Sequence, residues 1–552
     1  MLSVTGQGES IARGGDSRQR GVAAFRGVGR TRVSVDRGVG RLLTFRLGGM
    51  ILLERIARHT EEAVPSLYID GEWTSPASGA TSDIINPSDA SVVATVDVAD
   101  DVDVQRAIAA ARRAFDESDW PRLPAGDRAA LLFRVADLLE REKDRVARAE
   151  TLNTGKALRE SCYDVDDVIK VFRYYGGLAD KDAGRLVATG SENAIAKIVY
   201  EPIGVCSLIG PWNYPLLQIS WKVAPALAAG NTMIVKPASL TPLTTIILVE
   251  LLEEAGVPAG VVNLVLGPGG RVGEALATSA DVDMVSMTGG IDAGRRILTA
   301  AAANVKRVGL ELGGKSPNIV FADADFDAAL DNALAGAFAH SGQVCSAGCR
   351  VIVEDAIHDR FVEELGRRAE KIRVGHGLDE RTETGALISA EHRDKVERYI
   401  RLGLDEGARL VAGGDRPNDP ELQAGFYLRP TVFADCRPDM TIIREEIFGP
   451  VVTVERFSTE DEAIRLGNDT TYGLSGAVWT SDAGRAQRVA ARLRHGTVWI
   501  NDYNTYMPQA EWGGFKQSGI GRELGPTGLD EYREAKHVYE NIAPAPSGWF
   551  EG

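Results

Sequence analysis

From residue 203 onward, the chain alternates short apolar runs with segments whose apolar residues have helical spacing. The apolar runs are 203–209, 232–235, 261–266 and 282–287, and the helical segments are 216–229, 241–254 and the stretch from 293. Strands that alternate with helices pair in parallel, and helices then cover both faces of the sheet. The alternation therefore predicts an α/β fold with a buried parallel sheet, followed by a second α/β region over 317–524.

The residues before this sheet predict a different mixture of elements. Asp70-Gly71 between the apolar runs 67–69 and 72–73 predicts a hairpin. Two long helices are expected over 104–115 and 128–150. Residues 194–200 and the tail after Pro526 fit neither α/β region.

Residues 1–49 have a composition of their own, with nine arginines, no lysine and three acidic residues. This composition resembles a transit peptide. The alternative, which we favour, is an upstream stretch included through too early a start codon, with Met50 as the true start. Under both interpretations we expect disorder in this segment.

The charge balance and the cysteines restrict the class of protein. A formal net charge of −16 argues against nucleic acid or an anionic membrane surface as the main partner. No run of about 18 apolar residues could span a bilayer. The five scattered cysteines fit a reducing cytoplasm better than a disulfide framework. No metal site is expected, because no zinc-ligand spacing occurs.

Cys345 is the first candidate for chemistry, within the run Ser-Gly-Gln-Val-Cys-Ser over 341–346. A lone cysteine is usually a small buried hydrophobic residue. Here the segment is small and contains glycine, so a substrate could approach the backbone. Backbone dipoles could also favour the thiolate. Cys345 is therefore a candidate nucleophile.

Glu311 lies between leucines and glycines in the run Gly-Leu-Glu-Leu-Gly-Gly-Lys over 309–315. A charged carboxylate among apolar residues is unfavourable unless it is paired. One interpretation is a structural glutamate in a salt bridge. The other is a general base whose pKa is raised by burial.

Asn213 lies in the run Gly-Pro-Trp-Asn-Tyr-Pro over 210–215, directly after a predicted parallel strand. Ligands of open α/β sheets bind at the carboxyl ends of the strands. An asparagine amide at this end can donate a hydrogen bond to a developing oxyanion. The alternative is a turn asparagine framed by prolines.

A dinucleotide site is indicated only weakly, because the globular part contains no Gly-x-Gly-x-x-Gly run. Instead Gly289 and Gly290, with Gly294 shortly after, lie between a predicted strand and a helix. Glycines at this position admit a phosphate near a helix N-terminus. Lys236 ends another strand and could reach a ribose or phosphate; an exposed lysine is the alternative.

These motifs occur together in the order and context of the aldehyde dehydrogenase superfamily, which the chain resembles over about residues 65–540. The set consists of Asn213, Lys236, Gly289, Glu311, Cys345 and the run Glu-Glu-Ile-Phe-Gly-Pro over 445–450. The resemblance implies an aldehyde dehydrogenase fold with a Rossmann-like NAD(P)-binding domain (58–180 and 202–313) and an α/β catalytic domain (314–524). It also implies a small β oligomerisation flap with a tail (181–201 and 525–552) in a homodimer or homotetramer.

The resemblance further implies the roles of the site residues. Cys345 would attack the aldehyde, Asn213 would hold the oxyanion, and Glu311 would activate the water that hydrolyses the thioester. The residues implied for NAD(P) binding are Ile209, Pro211, Trp212, Lys236, Ser239, Gly289, Gly290, Gly294, Leu312, Glu446 and Phe448. NAD is the expected cofactor, and NADP is possible because Ser239 replaces the glutamate that repels a 2′-phosphate in NAD-preferring members.

The runs 512–525 and 287–291 are most similar to the betaine aldehyde dehydrogenase subgroup, whose members enclose a trimethylammonium group in aromatic rings. The resemblance assigns Tyr214, Trp221 and Trp512 to such a cage, with cation–π attraction as the physical cause. Tyr214 and Trp221 are seven residues apart, which would place them on one helix face. Glu511 would supply a carboxylate to the cation or simply face solvent.

The expected reaction is the oxidation of betaine aldehyde to glycine betaine. Ala339 stands where many plant members carry a cage tryptophan. This departure leaves an ω-aminoaldehyde such as 4-aminobutyraldehyde, or a general aliphatic aldehyde, as alternative substrates. Ordinary core packing of the aromatic residues and a non-catalytic homologue are the remaining alternatives.

Overall fold

The computed structural model describes residues 65–181 and 183–550, and the arginine-rich segment 1–49 lies outside these residues. The strands are β1 Leu67–Ile69, β2 Glu72–Thr74, β3 Thr81–Ile85, β4 Val92–Asp97, β5 Arg185–Val187, β6 Ala194–Pro202, β7 Val205–Ile209, β8 Thr232–Lys236, β9 Val262–Leu264, β10 Met284–Thr288, β11 Arg307–Glu311, β12 Pro317–Val320, β13 Arg350–Glu354, β14 Arg409–Ala412, β15 Thr431–Ala434, β16 Val451–Phe457, β17 Ser475–Trp479, β18 Thr497–Ile500, β19 Gly519–Ile520 and β20 Arg533–Asn541. The α-helices are α1 Asp101–Glu117, α2 Ala125–Arg141, α3 Lys143–Thr154, α4 Leu158–Leu178, α5 Pro215–Ala229, α6 Leu243–Glu254, α7 Glu274–Thr278, α8 Ile291–Ala301, α9 Phe326–Phe338, α10 Asp355–Ala369, α11 Ala390–Asp405, α12 Thr441–Arg444, α13 Glu460–Asn468, α14 Ala483–Arg492 and α15 Gly525–Asp530.

The first sheet has eight strands in the order β19-β11-β10-β7-β8-β9-β1-β2. The five strands from β11 to β9 are parallel, which confirms the α/β fold predicted from the alternation. β1 and β2 add the predicted hairpin. Asp70 and Gly71 at its turn both have positive φ, 57° and 84°, as a tight two-residue turn between antiparallel strands requires.

One strand of the first sheet comes from a distant part of the sequence. β19 pairs antiparallel with β11, next to Glu311. The sequence expectation placed residues 519–520 in the second α/β region, and the structure differs here. A two-residue strand in a glycine-containing segment carries too short a pattern to indicate its partner. The chain therefore returns to the first sheet beside a candidate catalytic residue.

The helix expected over 128–150 is wrong as a single element. It is two helices, α2 and α3, which meet at Glu142. The backbone of Glu142 leaves the helical region, with φ −96° and ψ 10°. Its buried carboxylate contacts the guanidinium groups of Arg141 and Arg145. Apolar spacing alone could not show this break, because the apolar face continues on both sides of it.

The second sheet has seven strands in the order β14-β15-β16-β13-β12-β17-β18. All of its pairs are parallel except β14 with β15. A separate three-stranded antiparallel sheet has the order β20-β6-β5. The two segments that fitted neither α/β region, 194–200 and the tail, therefore pair with each other. A fourth, two-stranded sheet joins β3 and β4.

Two features are absent from residues 65–181 and 183–550. No helix in this part of the chain is long and apolar enough to cross a membrane. The same residues contain no group of three or more histidine, cysteine, aspartate or glutamate side chains placed to hold a metal ion.

Candidate active site

The parallel strands bring three predicted site residues, and Thr288 beside the predicted Gly289, to one edge of the first sheet. Ile209 pairs with Lys236 at the carboxyl ends of β7 and β8. Thr288 pairs with Glu311 at the ends of β10 and β11. Because β7 and β10 are also neighbours, these four ends are adjacent. This edge is where ligands of open α/β sheets bind.

Cys345 is partly buried, within an otherwise buried segment after α9. Burial, with a further effect of the Glu446 and Glu311 carboxylates, raises the pKa of its thiol to about 12. The resting side chain is therefore a thiol rather than a thiolate. A positive charge close to the sulfur, or removal of a neighbouring carboxylate, would make it more reactive.

Asn213 lies directly beside the cysteine segment. Its side chain is buried, and Nδ2 donates a 2.9 Å hydrogen bond to the backbone carbonyl of Gln343. Gln343 precedes Cys345 by two residues. The interpretation of Asn213 as an isolated turn residue does not account for this contact with the cysteine segment.

Glu311 is 4% exposed, and neither of its carboxylate oxygens has a hydrogen-bond partner among the described residues. Burial raises the pKa of Glu311 well above its usual range, and the charge of Glu523 raises it further. Glu523 forms a buried ion pair with Lys222. The structure therefore does not place Glu311 in a salt bridge of its own, which argues against the interpretation as a structural glutamate.

The strand ends form one wall of the site, and residues from two loops form a second wall. The rings of Trp212 and Phe448 are 5.2 Å apart in an edge-to-face contact. Glu446 accepts a 3.0 Å hydrogen bond from the backbone N–H of Gly314. Burial raises the pKa of Glu446 to about 7. The loop that carries Glu446 is thus tied to the segment that carries Glu311.

The residues expected to bind a dinucleotide are arranged so that a dinucleotide could bind at the strand ends. Lys236 is buried, contrary to the exposed-lysine alternative, and burial lowers its pKa to about 8. The Ser239 hydroxyl donates to the carbonyl of Gly267 at 2.8 Å. Gly290 caps α8 and has open space on the side where a Cβ would stand.

The other two glycines of this loop are close-packed. A Cβ added to Gly289 would lie 2.5 Å from Cε of Met287, and one added to Gly294 would lie 2.8 Å from the Leu312 side chain. Larger residues would therefore disturb the start of α8, where backbone N–H groups can receive a phosphate.

Aromatic rings form a group beside the cysteine. Trp221 lies 6.2 Å from both Tyr506 and Trp512, and Tyr506 lies 4.9 Å from Trp512, measured between ring centroids. The Tyr506 hydroxyl shares a 2.5 Å hydrogen bond with the hydroxyl of Ser346, the residue after Cys345, so this ring lies next to the cysteine. We call Trp221, Tyr506 and Trp512 the aromatic group.

Tyr214 has a different environment from the one expected. It precedes α5 as the N-cap, so it does not share a helix face with Trp221. Its ring packs against His340 at 5.4 Å and on the ammonium of Lys156 at 4.0 Å. One face of this ring therefore already contacts an internal cation.

Glu511 is exposed, and its carboxylate accepts a hydrogen bond from Thr527, which matches the solvent-facing alternative. Two other acidic residues, Asp164 and Asp167, act on one ring of the aromatic group. Asp164 forms a 2.6 Å ion pair with Lys156. The charges of Asp167 and Asp164 both contribute to the raised pKa of Tyr506.

Several residues of the site were missed from the sequence: Tyr506, Asp164, Asp167, Lys222 and Glu523. Lys222 follows the predicted Trp221, and Glu523 lies within the noted run 512–525, so a charged residue at each position was visible. Their pairing was not, because they are 301 positions apart. Tyr506 lies in no sequence motif that would mark it as a site residue.

Comparison with known proteins identifies the family. The model of the aldehyde dehydrogenase family matches residues 73–538. A betaine aldehyde dehydrogenase of Bacillus subtilis is 57% identical over 485 residues, which are 88% of this chain and 99% of the relative. An aldehyde dehydrogenase of Emericella nidulans is 45% identical over 87% of this chain and 95% of its own length.

A solved structure of a betaine aldehyde dehydrogenase from Staphylococcus aureus in complex with NAD⁺ is 50% identical. It superposes with a TM-score of 0.89, over 91% of this chain and 99% of that one. The family match over residues 73–538 includes the strand ends, Cys345 and the aromatic group. The chain belongs to the aldehyde dehydrogenase family.

Proposed function

We propose that this protein oxidises betaine aldehyde to glycine betaine with NAD or NADP, through a thioester on Cys345. The observation that carries the proposal is the aromatic group of Trp221, Tyr506 and Trp512 beside the cysteine. Such rings attract a trimethylammonium group by about 0.5–2 kcal/mol for each desolvated contact. The names of the relatives from Bacillus subtilis and Staphylococcus aureus support the same substrate.

In the first step the sulfur of Cys345 attacks the aldehyde carbon, and the thiol proton leaves to water or to a nearby carboxylate. The oxygen of the thiohemiacetal becomes an oxyanion. Nδ2 of Asn213 and the backbone N–H of Cys345 can donate hydrogen bonds to it. Because both donors are fixed before the substrate arrives, the oxyanion is stabilised without rearrangement.

Collapse of the oxyanion expels a hydride from the same carbon and leaves a thioester on Cys345. NAD(P), when bound at the strand ends, supplies the acceptor for this hydride. Glu311 then takes a proton from water, and the resulting hydroxide attacks the thioester carbonyl. The acid is released and the cysteine sulfur is free for the next cycle. The buried Glu311 suits this role, since a raised pKa makes it a stronger base.

The cofactor would be held by residues at the strand ends and on the second wall. Glu446 would accept hydrogen bonds from ribose hydroxyls, and Lys236 would donate to the adenosine side. Trp212 and Phe448 would pack on its apolar surfaces. Ser239 presents a hydroxyl instead of a carboxylate, so nothing at this position repels a 2′-phosphate and NADP can also bind.

The substrate class proposed here is a small cationic aldehyde. The aromatic group favours a trimethylammonium group, whereas the charge of Asp167, which acts on Tyr506, would attract any cation. A primary ammonium prefers a carboxylate with hydrogen-bond geometry. An ω-aminoaldehyde such as 4-aminobutyraldehyde is therefore the second candidate.

We also propose a homodimer or homotetramer in a reducing cytoplasm. The sheet of β5, β6 and β20 exposes large apolar residues, among them Leu186, Ile195 and Tyr539. An exposed apolar face of this kind commonly marks a contact with another chain. All five cysteines are unpaired. Light scattering after size-exclusion chromatography tests the oligomeric state.

The test compares kcat/KM for betaine aldehyde, 4-aminobutyraldehyde and hexanal, each with NAD and with NADP. We expect betaine aldehyde to be preferred over hexanal by about tenfold or more. Trp512→Leu should remove this preference, while Trp512→Phe, which keeps a ring, should retain most of it. If kcat/KM for hexanal equals or exceeds that for betaine aldehyde, the proposed substrate is wrong and the protein is a general aldehyde dehydrogenase. Cys345→Ser is the inactive control.

A further inference from the structure

A left-handed turn of three residues precedes the cysteine segment. His340 has φ 47° and ψ 37°, Ser341 has φ 52° and ψ 35°, and Gly342 has φ 69°. Glycine adopts this conformation freely, but histidine and serine do not. Two consecutive residues with a Cβ in this region persist only where their surroundings enforce it, and such residues concentrate at functional sites.

The surroundings of the turn are the segment 384–388. The backbone N–H of Ser341 donates to Oγ1 of Thr384 at 3.0 Å. The Ser341 hydroxyl donates to the carbonyl of Gly385 at 2.6 Å. The Thr384 hydroxyl itself donates to the carbonyl of Phe338 at 2.8 Å. These bonds hold both the backbone N–H and the hydroxyl of Ser341, and they thereby fix the turn.

The turn determines where the cysteine segment begins. Oε1 of Gln343 accepts a 2.9 Å hydrogen bond from the N–H of Ile388, so the residue after the turn is tied to the same segment. The carbonyl of Gln343 accepts from Nδ2 of Asn213. A change in the turn would therefore move both the sulfur and the amide proposed to hold the oxyanion.

We propose that Ser341 and Thr384 are positioning residues for the Cys345 nucleophile, acting through the left-handed turn 340–342. The inference rests on the proposed role of Cys345. Ser341→Ala or Thr384→Val would let the turn relax toward ordinary backbone conformations. The sulfur would then move away from the Asn213 amide and from the carboxylates of Glu446 and Glu311.

In Ser341→Ala and Thr384→Val we expect kcat to fall and the alkylation rate of Cys345 to rise. The value of kcat falls by about tenfold or more, while KM for NAD stays within about twofold, because neither Ser341 nor Thr384 is among the residues proposed to hold the cofactor. Alkylation of Cys345 by iodoacetamide at about pH 8 accelerates about threefold or more, because the sulfur leaves the two carboxylates. Unfolding would also expose the partly buried Cys345 to iodoacetamide, so both rates are measured on protein whose folded fraction is established by circular dichroism.

Two further variants complete the experiment. Thr384→Ser keeps the hydroxyl, so its kcat should stay close to that of the unmodified protein. Thr431→Val is the matched control, because the buried Thr431 hydroxyl likewise accepts from a backbone N–H, that of Gly414, and donates to a carbonyl, that of Arg429, both at 2.9 Å. Its kcat per folded enzyme should equal that of the unmodified protein.

The proposal is overturned if Ser341→Ala and Thr384→Val keep both rates, or lose kcat no more than Thr431→Val does. If either variant does not fold, the other decides. An unmodified protein that oxidises no aldehyde would contradict the proposed function instead. The alkylation rates would still test the turn.

Discussion

Nδ2 of Asn213 donates a 2.9 Å hydrogen bond to the backbone carbonyl of Gln343. A side-chain amide nitrogen carries two hydrogens, so this bond fixes the direction of the second one. Because Gln343 precedes Cys345 by two residues, the same contact ties the amide to the segment that carries the sulfur. One hydrogen bond therefore orients both the amide proposed to hold the oxyanion and the segment that carries the proposed nucleophile.

Asn213→Ala should lower kcat/KM for the aldehyde by about 10²–10³-fold, because one preorganised oxyanion donor is lost. The affinity for NAD should change little, since the amide points to the cysteine segment. Steady-state kinetics and cofactor titration by fluorescence measure the two quantities. A loss below about tenfold in kcat/KM would contradict the role.

Glu311→Gln should separate two properties of Cys345. Turnover should fall by about 10²-fold or more, because no base activates the water. Alkylation by iodoacetamide in the absence of cofactor should become faster, because the charge of Glu311 raises the pKa of the thiol. Glu446→Gln should accelerate alkylation in the same way. Unchanged or slower alkylation in both variants would show that the charges of these carboxylates do not keep the thiol protonated.

The ion pair between Lys222 and Glu523 should set the pH at which Glu311 works. The charge of Glu523 raises the pKa of Glu311, and the charge of Lys222 lowers it. Because the base must be ionised, kcat falls as the pH drops through the pKa of Glu311. Glu523→Gln should therefore move this acid limb to lower pH, and Lys222→Met should move it to higher pH.

Each of these two variants also breaks a buried ion pair, which typically costs about 3–5 kcal/mol of folding stability. Chemical denaturation measures this loss, and the pH profile is recorded on the folded fraction. Shifts of the acid limb in the same direction for both variants would disagree with the electrostatic explanation.

Ser239→Glu should convert the protein to NAD preference. A carboxylate at this position would repel the 2′-phosphate of NADP, so kcat/KM for NADP should fall by about tenfold or more. The value for NAD should be retained. Ser239→Gln has a similar shape without the charge and serves as the control. If NADP use is unchanged in Ser239→Glu, the 2′-phosphate binds elsewhere.

The parts of this molecule that could be predicted from sequence are those encoded locally. The parallel sheet followed from the alternation after residue 203, and Asn213, Glu311 and Cys345 each lie in a short contiguous motif. The structure brings Asn213 and the cysteine segment into contact and buries Glu311 close to Cys345. A strand end followed by a glycine-containing loop is a local feature, so it can be recognised from the sequence alone.

The rest depends on contacts between distant positions. Lys222 and Glu523 pair across 301 positions, and β19 joins the first sheet from the far end of the chain. Tyr506 enters the aromatic group from a loop without a distinctive pattern. Tyr214 was expected on the face of a helix that in fact begins one residue later. No periodicity along the chain could indicate these arrangements.

The most direct test of the account is to trap the acyl-enzyme. Glu311→Gln is mixed with betaine aldehyde and NAD, quenched in acid and analysed by mass spectrometry after digestion. We predict about one equivalent of NADH per active site and a betaine acyl group on the peptide that contains Cys345. NADH formed without an adduct on Cys345, or an adduct on another residue, would contradict the proposed thioester mechanism.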